Sequence, residues 1–453
     1  MDFFQVIYGF FGPPALFQRP GGRAYAWRSF IPERRVGSLA THQWRPTRCF
    51  LAPGVFSACL LVAASAFSTA FGQPPEPSLS PDDFAILAWG WTPGDTAKLQ
   101  DIKACGFNLA GFVAPDDVPA VAAVGLKCIV SDAGMAVGDD AVAIPDEEVR
   151  QRVAAVTSRL KNDPAVWGYY LRDEPSAALF PTIGKFAAAI RETAPGQRPY
   201  VNLFPSLAEP HQLAASDYTE YVEKLIEIVQ PPFVSYDRYA LMDDGSLHDG
   251  YFQNLETVRA ISLAHNLPFW NIVQSNAHFR YAEPSEKGLR FLASTTLAYG
   301  ARGIGYFTYF TPAIGNYRLA PIDQFGNKTP TWEMLRRVNL QIHKLAPTYI
   351  KLRSVNVFHH PDVPHDCRGI ASAHVVASVE GGQFLVGEFV GPENRPYAMV
   401  VNTSLDHSVR LVAKFKTEKP LLFVNPYTGT LDSFGGEHEW LAPGQGALLT
   451  VRE

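Results

Sequence analysis

Two short stretches of the chain bring acidic residues to the point where an apolar run stops. The first is Trp167-Gly-Tyr-Tyr-Leu-Arg-Asp-Glu-Pro175, where two carboxylates and a proline arrive together. A proline there ends a strand and fixes the turn after it. Neighbouring carboxyl groups suit acid–base chemistry: one acid protonates a leaving oxygen while a second carboxylate works across the breaking bond. Glu174 is the candidate acid, with Asp173 beside it. The alternative is capping of the helix expected from about Ser176. The second stretch is Phe233-Val-Ser-Tyr-Asp-Arg-Tyr239, which sets Asp237 between Tyr236 and Tyr239. Tyrosine hydroxyls there are placed to orient a carboxylate or a bound hydroxyl group. The alternative is an Asx-turn, or a rim contact between Asp237 and Arg238.

These residues need a scaffold. From residue 84 onward, short apolar or aromatic runs alternate with amphipathic stretches. Strands are expected at 84–89, 107–113, 126–131, 166–172, 199–204, 233–236, 268–273 and 303–309. Helices are expected at 96–104, 118–124, 146–161, 177–193, 218–229, 251–265, 285–299 and 332–345. Such alternation implies a parallel sheet, and eight units in a row imply a closed (β/α)8 TIM barrel. A doubly wound open sheet would carry a glycine-rich phosphate loop, and no strand is followed by one. Closure requires 84–89 to lie beside 303–309. In a barrel of this kind, chemistry sits at the strand C-termini. That places Trp89, Trp91, Asp173, Glu174, Asn202, Tyr236, Asp237, Tyr239, Gln274, Tyr306 and Tyr309 at the candidate site.

After Pro347 the pattern changes to short strands at 355–358, 373–379, 383–389, 397–402, 409–415, 421–425 and 446–451, separated by turn sequences. This predicts a small antiparallel β-sandwich over 349–453, after a barrel over 79–348. Residues 1–78 read as an upstream segment, a leader and a linker. Arg45-Pro-Thr-Arg48 precedes an apolar run, and Ser68-Thr-Ala70 offers a cleavage site, so secretion with cleavage near Ala70 is expected. Pro53 and Gly54 interrupt that run, which argues against stable membrane insertion of the mature protein. Residues 1–44 lack periodicity, and initiation near Val36 or Leu39 would give a leader of ordinary length.

The net charge of −5 comes without any Lys/Arg run, so no nucleic-acid partner is expected. Cys105 and Cys128 lie in apolar runs and are expected to pack as small hydrophobes; no C-x-x-C pair is present. His211, His248 and His278 show no metal-ligand spacing, and neither a metal nor a cofactor is expected.

The segment Gly168–Pro175 resembles the fourth-strand motif of clan A glycoside hydrolases, where an Asn-Glu-Pro or similar tripeptide supplies the acid/base. Leu297-Ala-Tyr-Gly-Ala-Arg-Gly-Ile-Gly-Tyr-Phe-Thr-Tyr309 and Asp323-Gln-Phe-Gly-Asn-Lys-Thr-Pro-Thr-Trp332 extend the resemblance toward the family 42 β-galactosidase group. The resemblance implies a glycosidase acting on a carbohydrate, with Glu174 as acid/base. It also implies a glutamate nucleophile at the end of strand seven, where this chain carries Gln274, and Asp173 replaces the usual asparagine. Three routes around that loss stay open: Asp237 as base of an inverting reaction, Glu283 as nucleophile, or substrate assistance by Asp173 and Glu174 on an N-acetyl sugar. A non-catalytic carbohydrate-binding barrel is the competing reading. A barrel hydrolase or lyase of another kind, revealed by chelator sensitivity, is the third.

Overall fold

The computed structural model describes residues 84–452 apart from 140, 142, 161 and 162. The expected leader and linker lie outside the described residues. The chain enters at β1 (Ala85–Trp89) and continues through α1 (Thr96–Ala104), β2 (Leu109–Val113), α2 (Val118–Ala123), β3 (Lys127–Val130) and α3 (Asp146–Leu160). Next come β4 (Val166–Asp173), α4 (Phe180–Thr193), β5 (Arg198–Asn202), the single turn α5 (Pro210–Leu213) and α6 (Tyr218–Val229). The barrel is completed by β6 (Val234–Asp237), α7 (Tyr251–Ala264), β7 (Phe269–Gln274), α8 (Glu286–Ala298), β8 (Gly303–Phe307) and α9 (Pro330–Tyr349). All eight strands pair in parallel, in the order β5-β4-β3-β2-β1-β8-β7-β6. β1 and β8 lie side by side from Ala85 opposite Gly303 to Trp89 opposite Phe307, as closure demands. The seam between β5 and β6 is thinner. Among the described residues it rests on one bridge, Leu203 to Tyr236, with Leu203 N–H donating to the Ser235 carbonyl at 2.8 Å.

Strand alternation separates two cores. Ala85, Leu87, Trp89, Ile129, Trp167, Tyr200, Phe233, Trp270, Ile272 and Phe307 fill the barrel interior. Trp270 stacks there between Trp167 at 4.8 Å and Phe233 at 4.4 Å. β8 makes room for them by presenting glycine inward. A Cβ on Gly303 would come within 2.6 Å of the Trp270 ring, and one on Gly305 within 2.4 Å of Ile272. The alternate residues, such as Ile86, Ala88, Leu171, Tyr236 and Tyr306, face the helices and bury a second, larger layer. Cys105 and Cys128 belong to that layer, and burial pushes both thiols up.

Beyond α9, an antiparallel sheet of order β16-β15-β18-β12-β11-β9 covers the barrel beside α8. Its strands are β9 (Arg353–His360), β11 (Phe384–Val390), β12 (Pro396–Asn402), β15 (Leu421–Val424), β16 (Leu431–Ser433) and β18 (Gly446–Val451). Two ribbons complete the region: β10 (Val376–Glu380) with β14 (Val412–Phe415), and β13 (Val409–Arg410) with β17 (Trp440–Leu441). One face of the sheet, including Leu385, Phe389, Met399 and Leu448, joins the barrel's outer core. The other, including Phe358, Val386, Val400 and Leu449, packs with Val376, Val379 and Phe415 of the first ribbon. The fully buried Glu388 carboxylate ties that ribbon down, accepting from the N–H groups of His374, Val375 and Val376 at 2.7–2.8 Å. The stretch expected as one strand at 409–415 is two, because Leu411 turns into the core between them. No helix among the described residues is long and apolar enough to cross a membrane.

Candidate active site

The mouth of the barrel is organised by an irregularity in β4. Tyr170 pairs with Tyr200, but the next β5 residue, Val201, pairs with Arg172, so β4 carries one residue extra. Such a bulge re-aims the side chains that follow it. Asp173 thus comes opposite Asn202 and shares its inward face. Arg172 turns to Asp139 at 2.5 Å and to the Val137 carbonyl. Glu174 follows with φ of 44°, a left-handed conformation costly for a side chain of this kind. Its N–H donates to the Asn202 carbonyl at 2.8 Å, and the Pro175 carbonyl accepts from the Tyr221 hydroxyl at 2.6 Å. The turn is therefore held from both sides. The helical turn beyond begins after Ser176 without a side-chain cap, so the capping role considered for the two carboxylates is not the one they take.

Asp173 and Asp237 are each 8% exposed. The Asn202 amide nitrogen donates to both, at 3.0 Å each. Its oxygen accepts from the Ser235 hydroxyl at 2.9 Å, and the Tyr200 hydroxyl lies 3.1 Å from Ser235 Oγ. Two acceptors on one NH2 group lie roughly 5 Å apart. Burial holds both carboxyls above the ordinary carboxylate range, and for Asp237 the charge of Asp173 adds to it, while Asn202 opposes in both. Glu174 is half-buried beside them. Burial pushes the Tyr281 phenol up to about 12, and both Asp237 and Glu174 act on it in the same direction.

Aromatic side chains wall this cluster. Tyr239 stacks on Phe307 at 5.6 Å and meets Tyr281 edge-on. Trp89 is buried edge-on to Phe112 and Phe307, whereas Trp91 stands at the rim, 51% exposed. His278 stacks on Tyr317 at 4.9 Å, and burial lowers its pKa to about 4, so it is neutral at ordinary pH.

Three expected site residues lie elsewhere. Tyr236 is one residue from Ser235 and Asp237, so alternation turns it outward, fully buried against the helices. Tyr306 faces outward for the same reason and meets Phe107 edge-on at 5.8 Å. Tyr309 lies past the end of β8, and its hydroxyl accepts from the Trp332 indole at 3.1 Å. Gln274 ends β7 as expected, but both amide atoms bind one backbone unit: Oε1 accepts from Leu241 N–H at 3.0 Å and Nε2 donates to Leu241 O at 2.9 Å. Glu283 is an exposed rim residue paired with Arg318 at 2.8 Å. Ser235, Tyr200 and Tyr281 were not singled out in the sequence. Counting two residues back from Asp237 and from Asn202 finds the first two.

No protein-family model matches the sequence, and no curated protein sequence matches it. Solved structures do match. The β-galactosidase from Bacillus circulans sp. alkalophilus superposes with a TM-score of 0.57 at 8% identity, over 82% of this chain and 99% of that one. A catalytic mutant of a family 42 β-galactosidase from G. stearothermophilus gives 0.54 at 8% identity, over 83% and 99%. A family 5 glycoside hydrolase from Bacteroides vulgatus gives 0.52 at 11%, over 81% and 89%. The fold is shared with glycoside hydrolases. Two further β-galactosidases, from Marinomonas ef1 and Halorubrum lacusprofundi, are matched over only 62% and 59% of their own length, with TM-scores of 0.45 and 0.44. Among the described residues, no three His, Cys, Asp or Glu side chains gather as a metal-binding group.

Proposed function

We propose that this protein is a secreted glycoside hydrolase cleaving an O-glycosidic bond in an oligo- or polysaccharide. Glu174 serves as general acid/base and Asp237 as the second carboxylate. The observation that carries the reading is a left-handed Glu174 beside a buried carboxyl pair at the mouth of a glycosidase-type barrel. Strained backbone of this sort is retained where function requires a particular side-chain placement. Glu174 gives its proton to the glycosidic oxygen as the bond to the anomeric carbon breaks. Asp237 takes a proton from the water that bonds to that carbon. Asp237 takes this role in the form of the carboxyl pair whose retained proton sits on Asp173. The net change is addition of water across the bond, and the two carboxyls recover their starting states by proton exchange with solvent.

A sugar ring would rest on Tyr239, with Trp91 at the rim. The leader ending near Ala70 supports secretion.

The engagement of Gln274 with Leu241 favours a second reading, a carbohydrate-binding barrel without turnover. A panel of chromogenic and natural glycosides separates the two. Turnover by the wild type, lowered about 10²–10⁴-fold in kcat by Glu174→Gln, supports hydrolysis. Saccharide binding without turnover on every member supports the second reading.

A further inference from the structure

The hydrogen bonds beneath the two aspartates run in one direction. The Trp89 indole N–H is buried beside the Tyr200 hydroxyl, and an indole donates but cannot accept. Tyr200 and Ser235 share one contact, at 3.1 Å. The Ser235 proton is committed to the Asn202 oxygen at 2.9 Å, so the Tyr200 proton points to Ser235. Both protons of the Asn202 amide are then left for Asp173 and Asp237. An amide rotated by half a turn has nearly the same shape, so packing alone does not choose between its two orientations. Rotated, it would set an oxygen against two carboxyl groups and lose both donated bonds.

We infer that Ser235, oriented by Tyr200, is a positioning residue that fixes the Asn202 amide in one orientation and so keeps an N–H donated to each member of the Asp173–Asp237 acid pair. Neither Ser235 nor Tyr200 touches the substrate in this role. Each acts through Asn202. The pair keeps one proton because two ionised carboxyls roughly 5 Å apart in a buried site repel strongly. The amide limits that retention, since N–H donation favours the ionised form; the charges of Arg172 on Asp173 and of Arg238 on Asp237 act in the same direction, and Glu174 stands half-buried beside the pair. Losing the Ser235 hydroxyl lets the amide rotate, removes that donation and raises both titration steps. The inference concerns protonation alone, so it stands or falls independently of glycoside hydrolysis.

The test is a carboxyl titration of the full chain without substrate, by 13C NMR on aspartate-labelled protein. Asp173→Asn and Asp237→Asn assign the two steps. Removing either carboxyl should bring the other's step down. Ser235→Ala should move both steps upward by about one pH unit, the scale of a charge-assisted hydrogen bond. Ser235→Thr keeps the hydroxyl and should restore them. Tyr200→Phe should move them the same way by less, and it supplies the readout if Ser235→Ala does not fold. Steps in folded Ser235→Ala and Tyr200→Phe that coincide with wild type would overturn the positioning role. An Asp237 step unmoved by Asp173→Asn would overturn the pair.

Discussion

Placing a carboxylate at the end of β7 is the obvious attempt to build a retaining site, and the structure forecasts its failure. In Gln274→Glu, one carboxylate oxygen still accepts from Leu241 N–H. The other would face the Leu241 carbonyl oxygen where the amide nitrogen now donates at 2.9 Å. Gln274 is 4% exposed, so water is poorly placed to relieve that contact. The new side chain escapes by staying protonated and donating its O–H to Leu241. A glutamate has an unfolded pKa of about 4.3, and each pH unit of suppressed ionisation is worth 1.36 kcal/mol. Holding it neutral therefore costs up to about 3.7 kcal/mol at pH 7, about 1 kcal/mol at pH 5, and almost nothing at pH 4. The folded state binds a proton that the unfolded chain releases, so the variant loses stability relative to wild type as pH rises through this range. Urea unfolding of both proteins at pH 5 and pH 7.5 measures the difference. No gain of turnover on activated aryl glycosides is expected. A variant as stable as wild type at pH 7.5, or one that turns over such substrates faster, would falsify this account of Gln274.

Other outcomes follow from the same geometry. Burial holds the titration of the Asp173–Asp237 pair above the unfolded carboxylate value near 3.9, so this pair lowers stability as pH rises above about 4. Asp237→Asn should accordingly melt higher than wild type at pH 8 and near it at pH 4 by scanning calorimetry. Glu174→Gly relieves a left-handed backbone worth about 1–2 kcal/mol, partly offset by the greater freedom of glycine in the unfolded chain. It should melt at or above the wild-type temperature while losing turnover. Tyr306→Phe removes a buried hydroxyl without a hydrogen-bond partner, and kcat/KM for any substrate found should stay within about twofold of wild type, since the ring faces the helices.

The barrel itself was legible in the sequence because each strand–helix unit announces its period, and β1 does lie beside β8. Glu174, Asp173, Asn202 and Asp237 were found because polar residues at strand ends interrupt apolar runs. The misplaced tyrosines come from treating a strand end as a list of neighbours, although Tyr236 and Asp237 necessarily point to opposite faces. The inward turn of Asp173 was not legible. It depends on an extra residue in β4 that shows only in its register against β5. Nor does an amide at position 274 reveal that both its ends bind the backbone of Leu241, since that requires the loop after β6 to return to β7.

The thin seam of the barrel has a consequence for how such a protein drifts over evolutionary time. β5 and β6 share little backbone pairing, and among the described residues side-chain hydrogen bonds cross between them from Tyr200 to Ser235, Ser235 to Asn202, and Asn202 to Asp237. Replacing Asp173 or Glu174 removes none of these contacts, and replacing Asp237 gives up one of them while relieving electrostatic repulsion. Replacing the amide or the hydroxyls removes the stitches that keep the cylinder shut. If the acids catalyse hydrolysis as proposed, a lineage that abandons catalysis is free to shed Asp173, Glu174 and Asp237 while selection for a folded chain still retains Tyr200, Ser235 and Asn202. Under that proposal the polar residues at this mouth are under two selective regimes, and silent descendants should carry the fastening residues long after the acids have gone.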